Sequence, residues 1–299
     1  MLKPSYIVLS LYKFFEIKKI FGFRNKLKGI FNNVNVKGII LVAPEGVNIN
    51  ISIIESEYTM TMKELKKIIK FNRKDIKETK EKNHIYKKFK IKIKKEILTT
   101  RKMKVTNPLT RVGKYVEAEN WNSLISSSDT ILIDMRNNFE IKMGTFKNSI
   151  NPYCNNFTDL LNWIENDLIF MKNIQKKKIA MFCTGGIRCE KASSFLIRLG
   201  KKNVYHLRGG IIKYLERQNK TDNFWTGECF VFDNRVSLNN KLKKGSYSLC
   251  YACRMPLSEK DKKHTFYVKG ESCHMCFENK TEKQRDKYRM RMTNLRSKI

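Results

Sequence analysis

Lys178-Ile-Ala-Met-Phe-Cys183-Thr-Gly-Gly-Ile-Arg188-Cys189-Glu-Lys-Ala-Ser193 decides how this chain folds. After Lys178 the next four residues form a short apolar run, as expected of a strand buried on both faces. Helix-forming residues follow from Glu190 to Leu199. A strand, a loop and a helix in that order bring the loop to the carboxyl edge of a parallel sheet, where such folds place their sites. Gly185 and Gly186 let the backbone curl tightly, so that successive N–H groups converge. The following helix points its positive end at the loop, and Arg188 adds a fixed cation. All three effects favour a thiolate at Cys183 over that of a free cysteine. The same cradle would hold an oxyanion or a terminal persulfide. A buried, inert Cys183 would leave the Gly-Gly turn and Arg188 without a purpose. Cys189, at the helix start, reads either as a resolving thiol or as a packed cap. Cys154 and Cys229 stand alone and are read as structural.

Strands and helices alternate on both sides of this loop. Thr130-Ile-Leu-Ile-Asp-Met and Asn203-Val-Tyr-His-Leu are strand runs. Thr158 is expected to cap a helix carrying Leu160, Leu161, Ile164 and Leu168, and Gly210-Ile-Ile-Lys-Tyr-Leu is a further helix. This order implies an α/β domain with a parallel sheet covered on both faces. The first hundred residues read differently. Tyr6–Tyr12, Gly38–Ala43 and Asn48–Ile54 are strand runs, with Pro44-Glu-Gly as turn chemistry. Helical spacing links Ile20, Phe21, Phe23, Leu27, Ile30 and Phe31, and again Met62, Leu65, Ile68 and Ile69. Phe89-Lys-Ile-Lys-Ile-Lys alternates strictly and is expected to be the last strand of a βαββαβ, ferredoxin-like (acylphosphatase-like) domain. Its Lys-rich face would blunt a sheet edge or touch phosphate. The expected division is 1–98 ferredoxin-like, 99–115 linker with Asn107-Pro108 and Gly113, 116–224 α/β, and 225–299 Cys-rich and basic. Residues 279–299 hold eight Lys or Arg against two acids, as in a solvated helix or a frayed tail.

The 299 residues suffice for two or three domains. At 41% hydrophobic the chain can build a core, which excludes wholesale disorder. The absence of any apolar run of eighteen or more residues excludes an ordinary membrane span. Lys13 interrupts the apolar start and no small-x-small cleavage site follows, so no signal peptide is expected. A cytoplasmic location follows, and eight cysteines then read as metal ligands or reactive thiols. Lys plus Arg is 61 and Asp plus Glu 28, a net charge of +33. Such an excess makes a polyanion, above all nucleic acid, the first partner to consider. An AT-rich genome would also enrich Lys, Ile and Asn, and charge does not separate tRNA from DNA or ribosome. Cys250-x-x-Cys253 and Cys273-x-x-Cys276, with 19 residues between the pairs, have the spacing of a closed, structural zinc site. Pro256 and Gly270 supply turns near the knuckles. Free thiols or a redox-active pair are the alternatives, and His264 or His274 could replace one ligand. His84, His206, His264 and His274 show no iron-triad spacing, and no flavin or nicotinamide fingerprint is evident.

Asp134-Met-Arg136, with Glu140 and Gly144-Thr-Phe-Lys-Asn-Ser-Ile-Asn-Pro152, resembles the upstream rhodanese signature. Cys183-Thr-Gly-Gly-Ile-Arg-Cys-Glu-Lys191 resembles, more narrowly, the oxygen-dependent tRNA uridine hydroxylase family. Ala43-Pro-Glu-Gly-Val-Asn48 and Trp225-Thr-Gly-Glu-Cys-Phe-Val-Phe-Asp-Asn-Arg235 agree with it, so the likeness spans nearly the whole chain. The resemblance implies a tRNA substrate, molecular oxygen as co-substrate and 5-hydroxyuridine at the wobble position as product. It makes Cys183 the catalytic cysteine and Thr184, Gly185, Gly186, Ile187 and Arg188 its loop. The electron donor and the oligomeric state have no signature in the sequence. An unpaired wobble uridine can be splayed into a pocket and stacked on aromatic side chains. Two routes are open: the Cys183 thiolate adds to uracil C6 and makes C5 nucleophilic toward oxygen, or Cys183 carries a persulfide. A plain sulfurtransferase and a non-catalytic tRNA-binding module are competing readings. A cysteine phosphatase fits less well, because four residues rather than five separate Cys183 from Arg188.

Overall fold

Apolar residues at alternate positions give the first third of the chain a sheet with one covered face. In the computed structural model, which describes residues 4–217 and 223–296, that sheet is built from β1 (Tyr6–Phe14), β2 (Val36–Ala43), β3 (Gly46–Ile54), β4 (Ile76–Glu81) and β5 (Phe89–Ile93). Residues 1–3, 218–222 and 297–299, which the sequence expectations also cover, lie outside the described residues. The strand order is β4-β1-β3-β2-β5. All neighbours are antiparallel except β5, which runs parallel to β2. Leu9, Leu11, Ile40, Val42, Ile49 and Ile51 meet Leu27 and Phe31 of α1 (Ile20–Phe31) and Met62 and Leu65 of α2 (Glu55–Ile68). Each such side chain removed from water contributes about 1.5–3 kcal/mol.

The ferredoxin-like pattern is present, but its closing strand is β4 and not Phe89–Ile93. Ile-Lys-Glu-Thr-Lys-Glu has one apolar residue and no alternation, so its periodicity reads as surface. Its pairing with β1 over Leu11↔Ile76 to Tyr6↔Glu81 supplies what its side chains lack. The alternation at Phe89–Ile93 is real and builds a fifth strand at the opposite edge. There Phe89 and Ile91 join the core while Lys90 and Lys92 stay exposed. Charged residues on such an edge discourage pairing with another chain.

The next elements are β6 (Lys114–Val116), α3 (Ala118–Ser126), β7 (Thr130–Asp134), α4 (Asn138–Ile141), β8 (Gly144–Phe146) and α5 (Phe157–Asn166). They are followed by β9 (Lys178–Phe182), α6 (Ile187–Arg198), β10 (Val204–Leu207), α7 (Gly210–Arg217) and β11 (Trp225–Gly227). Strands β6-β10-β9-β7 form a wholly parallel sheet, and β8 pairs with β11. Ile133, Ile179, Met181 and Val204 pack against Leu160, Leu161 and Ile164 of α5 and Ala192 and Leu196 of α6. Phe182, one residue out of phase, belongs to the other face. There Phe146 stands edge-on to Phe182, Tyr214 and Trp225 with centroids 4.8, 4.7 and 5.4 Å away. Both faces are therefore covered.

Two helix starts differ from expectation. Asn156, not Thr158, caps α5: its side-chain oxygen accepts from the Asp159 amide at 3.0 Å. The helix stops at Asn166, and Leu168 is buried in a following 3-10 turn. Helix α6 begins at Ile187, three residues before Glu190, with Gly186 as its cap. The stretch 99–115 is held against α6. Asn107 O accepts from Ser194 Oγ (2.9 Å), the Gly113 amide donates to Ser193 Oγ (3.0 Å), and Thr100 and Thr106 are fully buried.

Residues up to Thr226 form one compact unit and those from Gly227 a second. The second contains the pairs β12 (Cys229–Phe230) with β13 (Ser237–Leu238) and β14 (Ser248–Leu249) with β15 (Pro256–Leu257), then α8 (Glu282–Arg296). Of the two options for the basic tail, the described part is a helix. Among the described residues, no helix is long and apolar enough to cross a membrane.

Candidate active site

The end of β9 hands Cys183 to a loop clamped by two helix starts. Gly186 sits at φ +102°, a left-handed conformation that suits glycine. Its amide donates to Cys183 Sγ at 3.1 Å, and the first turn of α6 follows at once. From the other side, the amides of Ile211 and Ile212 in α7 donate to Cys183 O (3.0 Å) and Thr184 O (3.2 Å). Gly210 permits this approach, since a Cβ there would stand 2.3 Å from Cys183 O. The sulfur is buried, at 1% exposure. Burial works against its anion. The Cys189 thiol, the Arg188 charge and the amides of Cys189 and Gly186 together outweigh burial and bring the Cys183 pKa from 9.0 to about 6. Burial and the facing sulfur push the Cys189 thiol well up, which keeps it a proton donor.

Arg188 is not a free cation. Glu140 Oε2 lies 2.9 Å from its Nη2, and Thr184 Oγ1 donates to Glu140 Oε1 at 3.4 Å. Glu140 itself caps α4 by accepting from the Asn137 amide at 3.1 Å. One carboxylate thus fixes both ends of the loop. Asp134 and Arg136 form a fully buried ion pair (2.6 Å). The Arg136 guanidinium also donates to Gly144 O at 2.6 Å and lies 5.0 Å from the centre of the Trp225 ring. That signature pair staples β8 and β11 to the sheet.

The N-terminal half of the unit contributes side chains to the same place. Tyr12 of β1 donates to Glu190 Oε1 at 2.7 Å, and its hydroxyl lies 2.6 Å from where a Gly186 Cβ would be. Glu190 is pushed up by burial and drawn back down by hydrogen bonds from Tyr12 and Tyr115. Lys191 is completely buried and meets Glu45 (2.8 Å), Glu96 (2.8 Å) and Leu98 O (2.9 Å). Ile187 packs with Phe14, Ala43 and Ile97. The loop sequence 183–191 and the Ala43–Asn48 turn are thus joined by a buried ion pair. Beside them is a cleft of about 320 Å³ lined in part by Tyr12, Lys74, Lys77, Tyr115, Arg208 and Gly209. Cys183 does not line it. The loop around the sulfur instead has cleft-bordering residues as neighbours: a Cβ on Gly186 would meet Tyr12 and Gly209, and one on Gly185 would meet Lys77.

In the second unit, the sulfurs of Cys250, Cys253, Cys273 and Cys276 lie within 4.8 Å of one another. Cys253–Cys273 and Cys273–Cys276 are 3.7 and 3.8 Å apart. A tetrahedral zinc with Zn–S bonds of about 2.3 Å requires sulfurs about 3.8 Å apart, so the donor set fits that ion. His264 and His274 lie with ring centroids 5.3 Å apart, but the described metal-capable group contains cysteines only, and the other two histidines are elsewhere. His206 is buried on Gly113 O (3.1 Å), where burial lowers its pKa to about 4, and His84 bonds Ser52 and Asn35. Glu190 lies within the Cys183–Lys191 motif, whereas Tyr12, Lys77, Tyr115 and Arg208 carry no motif of their own. A tyrosine in a largely apolar strand, whose hydroxyl needs a partner, is the one local signal among them.

The acylphosphatase like domain family UPF0176 matches residues 6–97, and the rhodanese-like domain family matches 117–217. A protein of Prochlorococcus marinus (strain MIT 9515) named tRNA uridine(34) hydroxylase is 42% identical over 298 residues, 99% of this chain and 96% of that one. A relative of the same name from strain MIT 9215 is 41% identical and covers 97% of this chain and 94% of its own. The chain belongs to the tRNA uridine(34) hydroxylase family. Among solved structures, a rhodanese-related protein from Thermoplasma volcanium is 26% identical, with 34% of this chain and 91% of that one covered and a TM-score of 0.28. Family membership joins the two halves of the first unit in one enzyme, and the geometry places the Cys183 loop where those halves meet.

Proposed function

We propose that this protein hydroxylates the uridine at position 34 of tRNA, with molecular oxygen as co-substrate and Cys183 as the catalytic residue. The observation that carries this is the Cys183 sulfur, seated on the Gly186 amide at 3.1 Å with its pKa brought down to about 6. At neutral pH that sulfur is mostly thiolate, the nucleophilic form. The thiolate adds to C6 of the uracil and C5 becomes nucleophilic toward oxygen; a two-electron donor reduces the second oxygen atom to water, and loss of the C5 proton with the thiolate restores the ring. Thr184 to Arg188 shape the cradle, with Arg188 held by Glu140. Cys189 serves as hydrogen-bond donor to the thiolate and stands ready as the resolving thiol. The net charge of +33 supports a tRNA partner. The division into 1–98, the linker 99–115, 116–224 and 225–299 is supported by family matches at 6–97 and 117–217. The setting is the cytoplasm.

Cys250, Cys253, Cys273 and Cys276 would hold a structural zinc, supported by their mutual distances. The metal would supply folding energy to the second unit and leave no open coordination position.

The test is nucleoside analysis of tRNA incubated aerobically with the purified protein and with Cys183→Ser. The wild type is expected to form 5-hydroxyuridine and the variant none. Mass spectrometry of a trapped tRNA–protein adduct at Cys183 separates ring addition from a persulfide route. Sulfur transfer from thiosulfate without any 5-hydroxyuridine would replace this reading by a sulfurtransferase.

A further inference from the structure

Lys77 lies on β4, the strand with no apolar periodicity, and is 5% exposed. Its backbone is paired with β1, and its side chain has no hydrogen bond or ion pair among the described residues but borders the cleft. An ammonium without a carboxylate beside it is free to meet an anion that enters there. Its Nζ lies 5.2 Å from the centre of the Tyr12 ring. A methyl group built on Gly185, in the middle of the Cys183 loop, would stand 3.9 Å from both Nζ and Cε, and one built on Gly209 would stand 3.7 Å from Cε. The charge is thus aimed at the backbone of the cysteine loop and at the wall of the 320 Å³ cleft. Small-molecule sites begin at roughly 300 Å³, so the cleft has room for one base. The charges close enough to act on Lys77 are Cys183, Glu190 and Glu216, which favour its ammonium, and Lys213, which opposes it.

We propose that Lys77, supplied by the N-terminal sheet, is a catalytic residue of the Cys183 site: its ammonium holds the negative charge there, on the thiolate before reaction and on the uracil O4 afterwards. The second half rests on the function proposed above. When the thiolate pair forms the S–C6 bond, the C5–C6 π pair moves to make C4–C5 double. The C4 carbonyl pair moves onto O4, which becomes an enolate oxygen. One negative charge leaves the sulfur and one arrives at O4, so no oxidant or reductant enters this step. A cation held against the loop that carries the sulfur stabilises the charge throughout. Burial lowers the Lys77 pKa to about 8, so near neutrality it is still mainly charged yet gives up its proton more readily than a surface lysine. It is therefore able to protonate O4 as well as to pair with it.

The experiment compares wild type, Lys77→Met, Lys77→Arg and Cys183→Ala as full-length proteins. The Cys183 pKa is read from thiolate ultraviolet absorbance against Cys183→Ala, and hydroxylation from single-turnover formation of 5-hydroxyuridine in tRNA. Lys77→Met is expected to raise the Cys183 pKa by about 1 or more and to slow hydroxylation about a hundredfold. Lys77→Arg, which keeps the charge, is expected to recover part of both. The melting temperature of Lys77→Met is expected to match or exceed that of wild type, because no hydrogen bond or ion pair is lost and a largely desolvated charge is removed; a large loss would assign the lysine to the fold instead. A rate within about threefold of wild type, below what one lost charge contact gives, together with an unmoved Cys183 pKa, overturns the proposal. The titration needs no tRNA. A wild type that leaves tRNA unmodified, while Lys77→Met still raises the Cys183 pKa, would sink the reaction and keep the lysine as the thiolate's partner.

Discussion

Cys183 and the cluster of Cys250, Cys253, Cys273 and Cys276 put one side chain to two opposed uses. Around Cys183 the protein itself supplies positive potential: an amide at 3.1 Å, the first turn of α6 and a clamped guanidinium. The sulfur is anionic near neutrality and has no ligand to satisfy. In the second unit, sulfur faces sulfur at 3.7 and 3.8 Å, and burial pushes the Cys273 thiol up to about 12. Four thiolates so close need an external cation. A thiolate balanced by protein dipoles stays available to react, whereas one shared with a metal is spent on structure.

The most drastic way to break this contrast is to take the metal away. The purified protein is expected to carry about one zinc, and a chelator to unfold the segment around residues 250–276, as structural zinc contributes about 10–16 kcal/mol in small domains. Metal analysis and hydrogen exchange check this. Retained protection in the metal-free protein would show that the four sulfurs do not need a cation. Next comes the reactive sulfur. Cys183→Ser is expected to lower 5-hydroxyuridine formation to below about one thousandth, while Cys250→Ser should leave the Cys183 titration in place. That titration also sets a pH dependence. The Cys183 pKa falls from 9.0 to about 6 on folding, so the folded state releases the proton more readily than the unfolded chain. Its stabilising contribution relative to Cys183→Ser is complete above pH 9 and is lost as pH falls toward and through about 6. Urea unfolding of both proteins between these values measures it, and parallel curves would deny the thiolate.

Smaller effects sharpen the setting of the reactive sulfur. Lys191→Met strands the buried Glu45 and Glu96 carboxylates and is expected to cost about 3 kcal/mol of stability. Thermal melts of the variant check it. Tyr12→Phe removes one hydrogen bond to the Glu190 carboxylate and should cost about 1.5 kcal/mol. Unchanged melting in both would mean that the two halves of the first unit do not hold each other.

The sequence was informative where chemistry is local. Cys183 through Arg188 show as a strand end, two glycines and a cation within six residues, and the Cys-x-x-Cys pairs show by spacing. The parallel sheet is legible because Ile131 to Asp134 and Lys178 to Phe182 are short apolar runs. Contacts that decide the setting of the site are long-range and leave no periodic trace. Nothing near Lys191 announces Glu45, nearly 150 positions earlier, and Lys77 looks like one more surface lysine in a chain that carries 61 basic residues. Strand β4 escaped because backbone pairing with β1 carries it. The helix caps escaped because Asn156 and Gly186 act through geometry, and the apolar pattern alone favours Thr158 and Glu190.

The Lys191 ammonium, enclosed by Glu45, Glu96 and a carbonyl, bears on how such a gene can change. Exchange of either segment for a foreign one would leave a stranded charge in a dry interior. Recombination at that seam should therefore be purged, and the two segments should travel through lineages as a single heritable block.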